Sequence, residues 1–223
     1  MTTRIGILGG VGPLAAAHFH QRLLRLSGAS VDHEYPASIL VGEQIPSRIA
    51  HLLGRGPDPL PALLNAVAML ERAGADFIVV PSATTHAYYT ALVSAARVPV
   101  CNLLAETSAE CERRAYRRVL LLATEATRQL RLFEPYLSGR VRYPEFQRAI
   151  GCLIEQVKSG GPVEELRREL GHWIDSYDRD DVDGVVLGCT ELSVVAPENT
   201  RLPTVDITEV LAHAALGRAG TIP

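Results

Sequence analysis

Lysine is nearly absent from this chain: Lys158 stands alone against 21 arginines. That bias carries no chemical meaning by itself. Excess charge of either sign is also missing, with 22 basic and 25 acidic residues giving a net charge of −3. Such a balance creates no long-range field for nucleic acid or an anionic membrane, so an anionic substrate must be held by local residues. No apolar run approaches the roughly 20 residues that span a bilayer. Met1 leads almost directly into the apolar stretch Ile5–Leu8, without a basic segment followed by a longer apolar one. A secretory signal is therefore not expected. The four cysteines (Cys101, Cys111, Cys152 and Cys189) fall at no metal-ligand spacing, and a chain of this length needs no disulfide staples. A reducing cytoplasm is the expected location.

What is present is an ordinary globular composition, 47% hydrophobic and 21% charged over 223 residues. That suits one domain or two lobes of roughly 100 residues each. Short β-rich runs at Arg4–Leu8, Ser38–Val41, Phe77–Val80, Val98–Asn102, Val119–Ala123, Gly184–Leu187 and Thr204–Asp206 alternate with amphipathic stretches. Helices are expected at Leu60–Ala73, Glu106–Ala115, Arg128–Tyr136, Tyr143–Lys158 and Val163–Tyr177. Alternation of this kind predicts an α/β architecture with mostly parallel strands.

Three features recur in order. Ile5-Gly6-Ile7-Leu8-Gly9-Gly10 is echoed by Val119-Leu120-Leu121-Leu122-Ala123-Thr124. Ala75–Ser82 is echoed by Val182–Cys189, and Val98-Pro99-Val100 by Leu202-Pro203-Thr204. The repeat predicts two pseudo-symmetric α/β lobes, residues 1–103 plus 207–223 and residues 104–206. Ligands of open parallel sheets collect beyond the carboxyl ends of strands, so the active site is expected in a cleft between the lobes. Ser82 and Cys189 hold equivalent positions in the repeat and are expected on opposite sides of one ligand.

These residues resemble a known family. Ile5 to Ala15, reading IGILGGVGPLA, looks like the opening of the aspartate/glutamate racemases. Gly188-Cys189-Thr190-Glu191-Leu192 resembles their second cysteine motif, in the version of the aspartate racemase branch. Ile45-Pro46-Ser47-Arg48, Lys158-Ser159-Gly160 and Asp206-Ile207-Thr208-Glu209 resemble further elements in the right order. The resemblance implies a two-lobed fold, frequently a homodimer, that racemises an amino acid without pyridoxal phosphate or metal. Two cysteines then flank the α-carbon, one removing its proton as thiolate while the other supplies a proton to the opposite face. A thiol suits this work because its unperturbed pKa of about 8.5 can be lowered by nearby donors. A catalytic Cys189 is accordingly expected to alkylate faster than a free thiol at neutral pH. The chain departs from the family at the first cysteine motif, Pro-Cys-Asn-Thr-Ala-His, which here reads Pro81-Ser82-Ala83-Thr84-Thr85-His86. A serine needs a neighbouring base to act on a carbon acid, and His86 is the nearest candidate in sequence.

The candidate catalytic residues are thus Cys189 and Ser82, weighed against a buried apolar cysteine and an inert or merely hydrogen-bonding serine. Thr84 and Thr190 sit where the family's motif places its carboxylate binders, although threonines after strands also cap helices. Thr124 and Thr127 occupy the matching turn of the second lobe. Arg48 suits a second, distal carboxylate through bidentate pairing; the alternative is a solvated loop arginine. Lys158 either assists Arg48 or complements the dipole at a helix end. Glu191 is a proton-transfer partner for Cys189 or a helix cap. Gly10, Ala83 and Thr85 complete the substrate-binding candidates. Gly9, Gly10 and Gly12 fall short of a full dinucleotide-binding pattern and read as a tight turn.

The leading expectation is a cofactor-independent racemase or epimerase of aspartate or glutamate. Two other classes remain open. One is a single-cysteine decarboxylase or isomerase of a dicarboxylate, similar to the arylmalonate decarboxylases, which keep only the second-lobe cysteine. The other is a catalytically impaired ligand-binding homologue.

Overall fold

Strand β1, Ile5–Leu8, is buried at every position, as a parallel strand covered on both faces should be. In the computed structural model, which describes residues 2–178 and 180–221, the chain divides into two units. One comprises Met1–Leu103 with Thr208–Pro223, and the other Leu104–Ile207.

In the first unit β1 runs through a glycine turn into α1 (Pro13–Leu26), whose proline at the start lacks only an N–H that would be unbonded anyway. Then come β2 (Ser38–Val41), α2 (Arg48–Leu52), α3 (Leu60–Arg72), β3 (Phe77–Val79), a 3-10 turn (Thr84–Tyr88) and α4 (Tyr89–Ala95). The sheet order is β2-β1-β3, all parallel, and a single parallel bridge from Ile78 to Val100 adds a rudimentary fourth edge. Leu63, Ala66, Val67 and Leu70 of α3 pack with Leu8, Ile78 and Val80 in one core.

Helix α5 (Leu103–Arg113) leads into the second unit. There β4 (Val119–Leu122), α6 (Glu125–Gln129), α7 (Glu134–Leu137), β5 (Val141–Arg142), α8 (Gln147–Lys158), α9 (Val163–Asp175), β6 (Gly184–Leu187), α10 (Thr190–Val194) and β7 (Thr204–Asp206) follow. Helix α11 (Ile207–Ala219) carries the chain back into the first unit, where Glu209 pairs with Arg22 of α1. The second sheet, β5-β4-β6-β7, is also entirely parallel. Leu166, Leu170 and Ile174 form an i, i+4, i+8 stripe on α9. They share a core with Ile150, Leu153, Ile154 and Val157 of α8 and with Leu120, Leu122, Val185 and Leu187 of the sheet. Each such side chain contributes about 1.5–3 kcal/mol when fully buried.

The two sheets match strand for strand: β2, β1, β3 and the Val100 bridge correspond to β5, β4, β6 and β7. The fold is therefore the duplicated α/β architecture with parallel sheets that the sequence repeat implies. Several boundaries differ from expectation, each for a local reason. Val98–Asn102 shrinks to one bridge because Pro99 has no N–H to extend the ladder. The helix expected at Arg128–Tyr136 breaks into α6 and α7 around Arg131 at φ 52°, with Pro135 opening the second piece. Pro144 delays the start of α8 to Gln147. The two-residue β5 is too short to leave a periodic signal.

Close packing at the start of β6 generates a stability prediction. A Cβ on Gly184 would lie 2.5 Å from the Tyr116 ring and 2.9 Å from the Pro203 carbonyl oxygen, whereas one on Gly151 in α8 would meet nothing within 4 Å. Gly184→Ala is expected to cost about 2 kcal/mol, lowering Tm by about 5 °C in a chain of this size. Gly151→Ala should leave Tm unchanged or raise it through helix propensity. Equal Tm values for the two variants in a calorimetric scan would contradict this packing.

Candidate active site

Each unit places a polar turn where a central strand ends. In the first, β3 exits through Val80 and Pro81 to Ser82, whose N–H donates to the Val80 carbonyl at 2.8 Å. Ser82, Ala83, Thr84 and Thr85 are all buried. The Thr85 hydroxyl donates to Ser82 Oγ at 2.9 Å, and Thr84 Oγ1 lies 3.4 Å from the same oxygen. With its oxygen already accepting from Thr85, Ser82 is left with its own hydrogen to give to Thr84 or to a ligand.

His86 does not serve Ser82 as a base. Its Nδ1 is 2.8 Å from the Ser82 carbonyl oxygen, and the Leu103 N–H donates to its Nε2 at 3.0 Å. A carbonyl can only accept and an N–H can only donate, so the ring is the neutral tautomer protonated at Nδ1. Burial pushes its pKa down to about 4, against smaller upward effects of hydrogen bonds to the Ser82 and Cys101 backbone. The ring also stacks on Tyr89, with centroids 5.7 Å apart. His86 is a structural pin holding the turn.

At the neighbouring edge, Gly10 adopts φ 76°, and a Cβ there would sit 2.0 Å from the Glu43 carbonyl oxygen. Only glycine fits this turn. Arg48, first residue of α2, donates through Nη2 to the Val11 carbonyl at 2.5 Å, which anchors it on the same glycine turn. The Tyr88 hydroxyl is buried and has no partner among the described residues. Its phenol pKa is raised, first by burial and then by Asp58, with Arg48 opposing.

In the second unit Cys189 is the residue preceding α10, 6% exposed. Its thiol donates to Glu191 Oε2 at 3.0 Å, and the Thr190 hydroxyl lies 3.4 Å from that same oxygen. Burial pushes the Cys189 pKa well above its ordinary value, and the charge and acceptor of Glu191 add to the rise. The Glu191 backbone N–H and the charge of Lys158 pull the other way. Burial and Glu191 thus favour the protonated thiol. Desolvation at a strand end outweighs the few donors present.

Thr124 caps α6, accepting from the Thr127 N–H at 3.2 Å, and its hydroxyl pairs with Thr127 Oγ1 at 2.9 Å. Lys158 closes α8 and forms an ion pair with Glu155 at 2.8 Å, yet its charge still reaches Cys189. The turns after β4 and β6 are locked together, because the Gly188 N–H donates to the Leu122 carbonyl at 2.7 Å. Gln147, which no motif marks, donates through Nε2 to the Ala123 carbonyl at 2.8 Å. Its importance lies in a partner 24 residues earlier, so the local sequence holds no signal of it. No group of three or more His, Cys, Asp or Glu side chains suited to a metal occurs among the described residues.

The two turns differ in acid–base character. One offers hydroxyls alone; the other pairs a thiol with a carboxylate. If Glu191 suppresses thiolate formation in this way, Glu191→Gln should raise the alkylation rate of Cys189 at pH 8. Peptide mass spectrometry separates this from the exposed Cys152. A rate unchanged or lower in the variant would contradict the assigned role of the carboxylate.

Comparison with known proteins bears on this arrangement. The profile of Asp/Glu/Hydantoin racemases matches residues 8–215. The broad specificity amino-acid racemase RacX of Bacillus subtilis is 26% identical over 223 residues, covering 95% of this chain and 96% of RacX. The structure of Picrophilus torridus aspartate racemase superposes with a TM-score of 0.88 at 28% identity, covering 98% of this chain and 94% of the other. Glutamate racemase from Francisella tularensis, solved with D-glutamate, shares the fold at TM-score 0.64 and 16% identity, with coverages of 100% and 84%.

Proposed function

The chain belongs to the Asp/Glu/hydantoin racemase family and is by that membership an amino-acid racemase; from this premise we propose that it acts at the α-carbon of aspartate or glutamate, with Cys189 as its principal proton-transfer group. The observation that carries this reading is the 3.0 Å hydrogen bond from the buried Cys189 thiol to Glu191. A structural cysteine needs no carboxylate, and burying one beside it is costly unless it has work to do.

Glu191 takes the thiol proton along the existing hydrogen bond, leaving a thiolate supported by the Glu191 backbone N–H and the Lys158 charge. That thiolate removes the α-proton and becomes a thiol again, while the bonding electrons spread into the substrate α-carboxylate. Thr84 and Thr190, with backbone amides of the two turns, hold that carboxylate as its charge grows. Ser82 supplies its hydrogen to the other face while Thr85 donates to its oxygen; as product leaves, water returns a proton to that oxygen and takes the one held by Glu191, which restores the starting state. Arg48, supported by Lys158, binds the side-chain carboxylate as an ion pair.

Ser82 has no carboxylate to receive a proton as Cys189 does. Abstraction is therefore efficient on the Cys189 face alone, and racemisation should be lopsided. A cofactor is not needed in this scheme, since thiol, carboxylate and hydroxyls carry every proton. A homodimer, as the family resemblance implies, remains part of the proposal.

The test is to incubate each enantiomer of aspartate and glutamate with the enzyme in heavy water and follow the α-proton by NMR. One enantiomer should exchange at least tenfold faster than its mirror image, with slower inversion. Ser82→Cys should narrow that gap by accelerating the slow enantiomer. Equal exchange from both enantiomers in the wild type, or no response to Ser82→Cys, would remove Ser82 from the proposed role. Exchange from none of the four would remove the acidic amino acids as substrates and favour a dicarboxylate decarboxylase or isomerase.

A further inference from the structure

Gln147 presents a half-satisfied amide at the edge of the second sheet. Its Nε2 donates to the Ala123 carbonyl at 2.8 Å, which fixes the orientation of the amide because a carbonyl can only accept. Its Oε1 is buried and has no partner among the described residues. A buried acceptor left unpaired is destabilising, so such a group in a native fold calls for a donor that arrives from elsewhere.

The placement of this acceptor says what the donor is. Ala123 directly follows the carbonyl of Leu122 that receives the Gly188 N–H at 2.7 Å. A Cβ on Gly188 would stand 3.3 Å from that of Ala123. Gln147 is thus fastened one residue from the lock that holds the Gly188-Cys189 turn, and the helix it opens packs in the same core as Cys189. Within the same turn, Glu191 Oε2 is already engaged by the Cys189 thiol and approached by the Thr190 hydroxyl. Glu134 Oε2 is also buried and unpartnered among the described residues of this unit, but that carboxylate is held at the start of α7 by Tyr143 and Arg131.

An acidic amino acid carries two carboxylates, which only accept, and one ammonium, which only donates. We propose that Gln147 Oε1 receives the α-ammonium of the substrate, making Gln147 the residue that distinguishes an amino acid from the corresponding dicarboxylate. This inference rests on the amino-acid reading above. It also assigns a function to the Nε2–Ala123 bond, which keeps the amide from turning its donor face to a cation.

The experiment compares ligands that differ only in the amino group: L-aspartate with succinate, and L-glutamate with glutarate. Calorimetric titrations are run on the wild-type enzyme and on Gln147→Met, which keeps the side chain's length but loses its acceptor. Aspartate or glutamate should bind the variant about tenfold more weakly, the loss of one hydrogen bond to a charged group, while succinate and glutarate keep their wild-type affinity. Weakening of both members of a pair by the same factor would assign Gln147 a purely structural role and overturn the inference, as would unchanged binding of all four. A wild-type enzyme that binds the dicarboxylates but neither amino acid would overturn the amino-acid reading and this inference together.

Discussion

The hydrogen bond between Cys189 and Glu191 is the contact on which the proposed chemistry depends. It joins a thiol and a carboxylate two residues apart, both buried at the end of a fully buried strand. The short step from β6 into α10 makes it possible, and Gly188 makes the step possible. A side chain there would collide with Leu121 at 2.5 Å and crowd the Leu122 carbonyl at 3.2 Å. In this desolvated turn the proton sits on sulfur, and the carboxylate that stabilises it there is also the nearest group able to remove it. Burial and Glu191 both favour the protonated thiol here.

Duplication supplied the frame, and divergence supplied the asymmetry. Both units build a parallel sheet in the same spatial order, and each ends a central strand in a buried polar turn. Yet the position of Cys189 is taken by Ser82 in the first unit, and that of Glu191 by Thr84. A thiol–carboxylate pair can hold, release and recover a proton near neutral pH; two or three hydroxyls can pass one along but not pull one from carbon. His86, which might have restored basicity, spends both ring nitrogens on backbone groups. The same residues that tie the first turn in place thus deprive it of a base.

Much of the frame was legible in sequence because it rests on local rules. The buried strands announce themselves as apolar runs, and the repeat places equivalent turns without any structure. The misjudged boundaries trace to prolines whose effects were underweighted: Pro99 ends a ladder, Pro135 splits a helix and Pro144 delays one. Motif reading also found the thiol and its carboxylate neighbour. It could not find that burial by residues far along the chain raises the pKa of that thiol. Nor could it find partners set by the fold: Leu103 for His86, Val11 for Arg48 and Ala123 for Gln147 lie 17, 37 and 24 residues away.

The central claim is that one thiol moves the α-proton, and its most direct test is the exchange rate without that thiol. Deuterium incorporation at the α-carbon of the faster enantiomer should be followed in Cys189→Ser, with circular dichroism confirming an intact fold. Loss of a general base and its matched pKa predicts a fall of at least a hundredfold. Exchange persisting within tenfold of the wild-type rate would show that another group removes the proton, and the account built on Cys189 and Glu191 would not stand.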